Sequence, residues 1–406
     1  MHRSGFRGFP LFWSARAASQ FGDQITLIAL PWLIAGSTGS PLATGALEAV
    51  AVAPVLFLGL PLGAFADRRS RRRSMIQADA LRFAALLTIP VVAAVGDQAG
   101  AAQVLIVAFV VGIGTALFEA SAQPFLTDLV EPRRLVTCNA RISLTEGLAE
   151  VVGPVVGGLL IAGLGASGAV GADATTFVIS GIAILSLHRV TEHFSNAQAT
   201  YRHAILEGLR LVAGLNRLRT LGMLQAGQNF AGGMVLGLLV IFLQRVLGLG
   251  GFQAGLVYAA NGVGGVAAGL LAPRAAAWLG VGRTHVWAGI LASVGFVILP
   301  TSTVDSWRVT ATLGVALVGL GVVTGIISGA TLRQRLVPAE LLGRVTTAFR
   351  TALSGGLALG ALTGGIVGSL VGVRAGLVLG ALIYLAVSLS GFFTSLNAPD
   401  PPGGWD

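Results

Sequence analysis

Stretches of roughly twenty apolar residues, the length an α-helix needs to cross a ~30 Å hydrocarbon core, follow one another along almost the whole chain. About twelve can be drawn, at approximately 13–36, 42–66, 75–95, 101–121, 139–165, 170–188, 217–245, 252–277, 285–301, 308–331, 346–370 and 374–395. Hydrocarbon tolerates no unpaired backbone N–H or C=O group, so segments of this length and composition dictate helices packed side by side. The expected fold class is an all-α membrane protein of twelve transmembrane helices. A charged fraction of 11% agrees, being far below that of soluble domains.

All 26 basic residues are arginine, and a sequence pI near 11.3 raises the question of nucleic acid. Their placement answers it. Arg68, Arg69, Arg71, Arg72 and Arg73 crowd the connection after the second segment, and the other connections on that side are also arginine-bearing, whereas Arg245, Arg308 and Arg374 alone border the opposite side. Short arginine-rich loops stay in the cytoplasm, so both termini are expected there and no nucleic-acid partner is implied. Cys138 is the sole cysteine, which excludes an intramolecular disulfide and a cysteine metal cluster; no metal and no cofactor are expected. Arg3 and Arg7 precede no short apolar core with a small-residue cleavage site, so the first segment is expected to remain as a span.

The chain reads as two related halves. Gln20-Phe-Gly22-Asp23-Gln24 matches Gln225-Ala-Gly227-Gln228-Asn229, Gly63-xxx-Asp67-Arg68 matches Gly269-xxx-Pro273-Arg274, and Gly153-Pro154-xx-Gly157-Gly158 matches Gly360-Ala361-xx-Gly364-Gly365. The offset is nearly constant, and each match falls at the same ordinal segment of its half. The expected domains are an N-terminal six-helix bundle over 1–188, a cytoplasmic linker over 189–216 with an interfacial helix around Arg202 to Val212, a C-terminal six-helix bundle over 217–398 and a polar tail over 399–406. Two pseudo-symmetric halves with a substrate site near the midplane are one established transporter architecture.

These residues resemble the major facilitator superfamily across essentially the whole chain. Gly63-xxx-Asp67-Arg68-x-Ser70-Arg71-Arg72 is similar to that superfamily's loop between spans two and three, and Gly153-Pro154-xx-Gly157-Gly158 to its antiporter-associated fifth-span motif, with Ala149 in place of a preceding glycine. Ala122-Gln-Pro124 through Leu135-xxx-Asn139-Ala140, and Gln334 through Pro338 to Gly343-Arg344-Val345, resemble the drug-efflux branch that contains macrolide and siderophore exporters. The resemblance implies that Asp67 holds a helix contact closing the cytoplasmic side, with Gly63, Arg68, Arg71 and Arg72 around it, and that the fifth-span motif seals the outer side. Pro154 lacks an N–H and crowds the carbonyl of Glu150, so a kink is expected there. The family's usual arginine motif in span four is missing: Gly112-Ile-Gly114 runs on to Glu119.

Acids mark the first half. Asp23, Glu48, Glu119, Glu146, Glu150 and Asp173 fall within its segments, whereas Glu207, Asp305, Glu340, Asp400 and Asp406 of the second half fall in loops or the tail. A carboxylate inside a membrane is costly and by default functional. Arg16, Gln20 and Asp23 recur at i, i+4 and i+7 and so form one polar stripe, with Asp23 near mid-depth; Glu146 and Glu150 share a helix face. Arg16, Gln20, Asp23, Glu119, Glu146 and Glu150 are therefore candidates for proton coupling or cavity contact, while Glu48 and Asp173 lie nearer the outer interface and Asp79 with Arg82 reads as a local ion pair. Gln225, Gln228 and Asn229, with Trp32, Tyr258 and Asn261, are candidates to line a substrate cavity.

Enzyme chemistry finds no foothold. Gly163-x-Gly165-x-x-Gly168 follows a membrane helix and not a strand, and neither a His-Glu-x-x-His site nor a phosphate-binding loop occurs. The reading is a monomeric, multi-pass secondary transporter of a bacterial cell membrane, exporting a hydrophobic or amphipathic small molecule such as a drug, siderophore or secondary metabolite in exchange for protons. A facilitator or proton-symport importer, and a receptor or scaffold without flux, are the alternatives.

Overall fold

In a computed structural model the chain is almost entirely helical. The structure describes residues 8–96, 99–187, 210 and 212–398, with the side chains of Leu60, Ala64, Asp67, Ala339 and Glu340 left out. The helices are α1 (Phe9–Thr38), α2 (Pro41–Asp67), α3 (Arg71–Ala94), α4 (Ala101–Leu129), α5 (Leu135–Leu185), α6 (Asn216–Ile241), α7 (Gly251–Leu279), α8 (Val281–Ile298), α9 (Trp307–Leu336), α10 (Ala339–Val371) and α11 (Val373–Ser390). Ten helical stretches among the described residues are long and apolar enough to cross a membrane. α1 is not one of them, although it has 30 residues.

The fifth and sixth segments form one helix of 51 residues, broken where Gly165 adopts φ 73°, ψ 169°. That backbone conformation is closed to residues with a Cβ, so glycine sets the place where the chain turns back. A π-helical turn, Phe242–Val246, follows α6. The expected linker with its interfacial helix lies outside the described residues except at 210 and 212–216, as do Arg3, Arg7 and the tail from 399.

By packing, the described chain divides into two compact units. One comprises 8–39, 50–187 and 250–256, the other 40–49, 212–249 and 257–398. In the first, α1 packs on α5 and α3 on both α4 and α5. In the second, α6 packs on α10 and α11, and α8 on α9 and α11. The first unit's apolar core gathers Phe9, Phe12, Met75, Phe118, Phe125 and Ile142; the second's gathers Leu218, Leu221, Val281, Leu332 and Phe349. Large apolar side chains also point outward, among them Phe57 (72% exposed), Leu270 (65%) and Leu370 (79%). In water such a surface would aggregate; in lipid it is the solvated one.

Candidate functional site

One face of α1 carries a chain of polar side chains through the first unit. Arg16, buried, places Nη2 3.1 Å from Glu119 Oε2 of α4 and 3.1 Å from Glu146 Oε1 of α5, and Gln20 Nε2 donates to the same Glu146 oxygen at 3.2 Å. One turn on, Asp23 Oδ1 lies 3.7 Å from Arg82 Nη1 of α3. Arg82 also donates to Ser19 Oγ at 3.1 Å and pairs with Asp79, whose other oxygen accepts from Ser180 at 2.7 Å. A further turn along, Thr26 donates to Asp173, which also accepts from Thr176 at 3.1 Å.

Arg82 is the hub. Its side chain is 1% exposed, and its guanidinium lies between the rings of Phe177 and Phe118, at 4.1 and 4.9 Å from their centroids. Rings on either face supply cation–π attraction where water is excluded. Gly114 of α4 clears the path for its stem: a Cβ there would sit 2.5 Å from Arg82 Cγ. The i, i+3 spacing of Asp79 and Arg82 suggests a local pair, and the structure extends that pair into a network joining α1, α3 and the second limb of α5. Asp173, expected near the outer interface, is fully buried, because Thr26 and Thr176 supply hydroxyl donors inside the unit.

The structure brings Arg16, Gln20, Asp23, Glu119 and Glu146 into this chain. Glu150 is exposed and, among the described residues, takes no hydrogen bond or ion pair. At the end bearing the arginine-rich loop, Arg71 pairs with Asp128 of α4, and Arg72 donates to the carbonyls of Ile184 and Leu185 at the C-terminus of α5, where a cation complements the helix dipole. Arg68 is exposed, Gly63 lies within α2, and Asp67 ends that helix with a side chain outside the described set. Asp128 lacks a motif of its own, although it falls in the stretch from Ala122 to Ala140 that carries the drug-efflux resemblance. Of the fifth-span residues, Gly153 packs on Gln24 and Gly157 on Ile25 of α1, while Gly158 meets Gly251 and Gly255 of α7. Pro154 lies inside α5, whose non-helical residue is Gly165.

The second unit holds a cavity of about 200 Å³. Gln225, Gln228, Asn229, Tyr258 and Asn261 line it, together with His285, which the sequence pattern did not single out; Trp32 lies elsewhere, half-buried on α1. Arg333 of α9 donates to Gln225 Oε1 at 3.2 Å, Gln228 Nε2 donates to Ser388 Oγ at 3.2 Å, and Asn229 Nδ2 donates to the carbonyl of Gln225 at 2.9 Å. The lining contains no aspartate, glutamate or arginine.

The fold is that of major facilitator transporters. A solved nucleoside transporter, NupG, superimposes with TM-score 0.80 at 12% identity, over 95% of this chain and 99% of the other; a bacterial homologue of the iron transporter ferroportin does so with TM-score 0.75 at 17% identity, over 95% and 100%. The model of the transmembrane secretion effector family matches residues 5–401, and the chain belongs to that family. It is thus a multi-pass membrane protein of a transporter family and not an enzyme. The multidrug efflux pump Tap of Mycobacterium tuberculosis is 34% identical over 223 residues, 53% of this chain and 52% of Tap. Macrolide efflux protein A of Streptococcus pyogenes is 25% identical over 221 residues, 53% of this chain and 54% of the other. The matches span about half the length of these relatives.

Proposed function

We propose that the protein is a secondary active exporter that moves a hydrophobic or amphipathic small molecule out of a bacterial cell in exchange for protons. Twelve membrane helices in two pseudo-symmetric halves, 1–188 and 217–398, rock about a central site, with both termini in the cytoplasm and a monomer as the working unit. The observation that carries this reading is the imbalance of charge around α1. Two guanidiniums, Arg16 and Arg82, face five carboxylates: Asp23, Asp79, Glu119, Glu146 and Asp173. The surplus of negative charge in this partly buried network is reduced most simply by taking up a proton.

Asp23 is the carboxylate best placed to carry that proton. Its side chain is 36% exposed, so water reaches it, and its 3.7 Å contact with Arg82 is looser than the contact Arg82 makes with Asp79. Neutralising Asp23 removes the ionic tie between α1 and α3, leaving Arg82 paired with Asp79 on its own helix and joined to α1 by the single hydrogen bond to Ser19. The names of the relatives support the direction of transport and suggest a macrolide as the first probe.

Everted membrane vesicles with an acidic lumen are expected to accumulate erythromycin, and collapsing the gradient with nigericin is expected to lower accumulation at least tenfold. Flux indifferent to the gradient would remove the coupling. Asp23→Asn with full gradient-driven flux would remove only that residue's part in it.

A further inference from the structure

The cavity of the second unit has a polar end and an apolar end. Along α6 its lining residues Gln225, Gln228, Asn229, Val235 and Leu239 share one face, and the step from Gln225 to Leu239 is about 21 Å at ~1.5 Å per residue. The amides stand at the start of that line; Phe296 and Leu299 of the α8 segment border its far end. Gly289 of α8 is what lets Gln228 occupy its position, since a Cβ there would lie 2.4 Å from Gln228 Nε2.

The polar end offers unpaired acceptors beside spare amide hydrogens. Gln228 spends one of its two N–H groups on Ser388, and Asn229 one of its two on the Gln225 carbonyl; among the described residues the side-chain oxygens Gln228 Oε1 and Asn229 Oδ1 take no partner. His285, 1% exposed, has Nδ1 3.1 Å from the carbonyl of Gly325, which only accepts, so Nδ1 carries the hydrogen. In the neutral ring Nε2 is then an acceptor, and it is buried without a partner.

We infer that this cavity is a subsite for the uncharged, hydroxyl- or N–H-bearing part of an amphipathic substrate. Its polar end is met by Gln228 and Asn229, and its apolar end by Phe296 and Leu299. The volume suits a ring-sized group, since a cavity of roughly 150 Å³ holds benzene. The lining itself offers no carboxylate, and the Arg333 guanidinium stands behind Gln225 at the polar end; among the described residues, Glu48 of α2 interacts with Tyr258 of the lining and not with the amides. The inference deepens the exporter reading and rests on it only for the ligand being cargo.

Equilibrium binding to the full-length protein in lipid nanodiscs, followed by titration calorimetry with no proton gradient, tests it. Phenyl β-D-glucoside, neutral and rich in hydroxyls, should bind at least tenfold more tightly than phenyltrimethylammonium, a cation with the same aromatic ring. Gln228→Leu removes the acceptor while keeping the volume, and should weaken the glucoside at least tenfold without changing the cation. Gln228→Glu should invert the preference, a gain that a misfolded variant does not show. Native protein that binds the cation as tightly, or binds neither probe, overturns the inference, as does a Gln228→Leu protein that keeps the glucoside. Loss of gradient-driven flux in Asp23→Asn leaves these isotherms unaffected, so the subsite and the coupling fail separately.

Discussion

Replacing Arg82 by leucine removes the one cation shared by Asp79 and Asp23, and leaves Asp79, 2% exposed, with Ser180 as its remaining side-chain partner. Breaking a buried pair from one side costs about 3–5 kcal/mol, because the abandoned charge stays out of water. Arg82→Leu is therefore expected to lower the thermal unfolding midpoint of the detergent-solubilised protein sharply. Arg82→Lys should recover part of the loss, since an ammonium keeps the charge but lacks the planar fork that reaches Asp79, Ser19 and Asp23 together. An unchanged midpoint in Arg82→Leu would show that the network contributes no stability. Local spacing makes the Asp79–Arg82 pair legible in the sequence, but the other partners of Arg82 come from α1, α4 and α5 and leave no periodic trace. Glu146 and Glu150 make the same point. A four-residue spacing treats them alike, yet only Glu146 meets Arg16, while Glu150 is exposed.

Elements are more legible than contacts. The apolar lengths that predict the spans return as helices, but hydropathy reads only the portion matched to hydrocarbon, and helices continue past it wherever their ends are hydrated. So α10 begins at Ala339 and not near 346, and helix resumes directly after the break at Gly165, across the expected gap at 166–169. The turn-back itself rests on a single backbone conformation at Gly165, which no hydropathy window registers. The Gly-Pro-xx-Gly-Gly motif has a sharper physical test. A Cβ on Gly158 would lie 2.5 Å from the carbonyl oxygen of Gly251 and 3.1 Å from Gly255 Cα, backbone atoms that cannot rotate away. Gly158→Val should force α5 and α7 apart and cost about 1–3 kcal/mol. Gly147→Val on the same helix, with nothing within 4 Å of its Cβ, serves as the control and should leave the unfolding midpoint nearly unmoved. Equal effects at both positions would refute close packing as the reason for the motif.

Over the whole molecule, orientation in the membrane is set by where the arginines lie. The run from Arg68 to Arg73 follows α2, and Arg274 and Arg283 flank the corresponding connection later in the chain, whereas the opposite side carries Arg245, Arg308 and Arg374. Arg374 has a local occupation that explains its presence there: it donates to the carbonyls of Pro300 and Ser302 at 2.9 Å each and so ties the start of α11 to the turn after α8. In the proposed orientation the short arginine-rich loops are retained in the cytoplasm, and the sidedness of every helix follows from that. Cys138 is the only cysteine and is buried, so Cys138→Ser gives a clean background for single-cysteine mapping. On that background Val304→Cys, at a position 64% exposed in the turn before α9, should react with a membrane-impermeant maleimide in intact cells. Arg69→Cys, in the exposed loop before α3, should react only after the cells are opened. Labelling of Arg69→Cys from outside, with Val304→Cys protected, would invert the topology, and the direction of transport assigned to the proton-coupled cycle would have to be reversed with it.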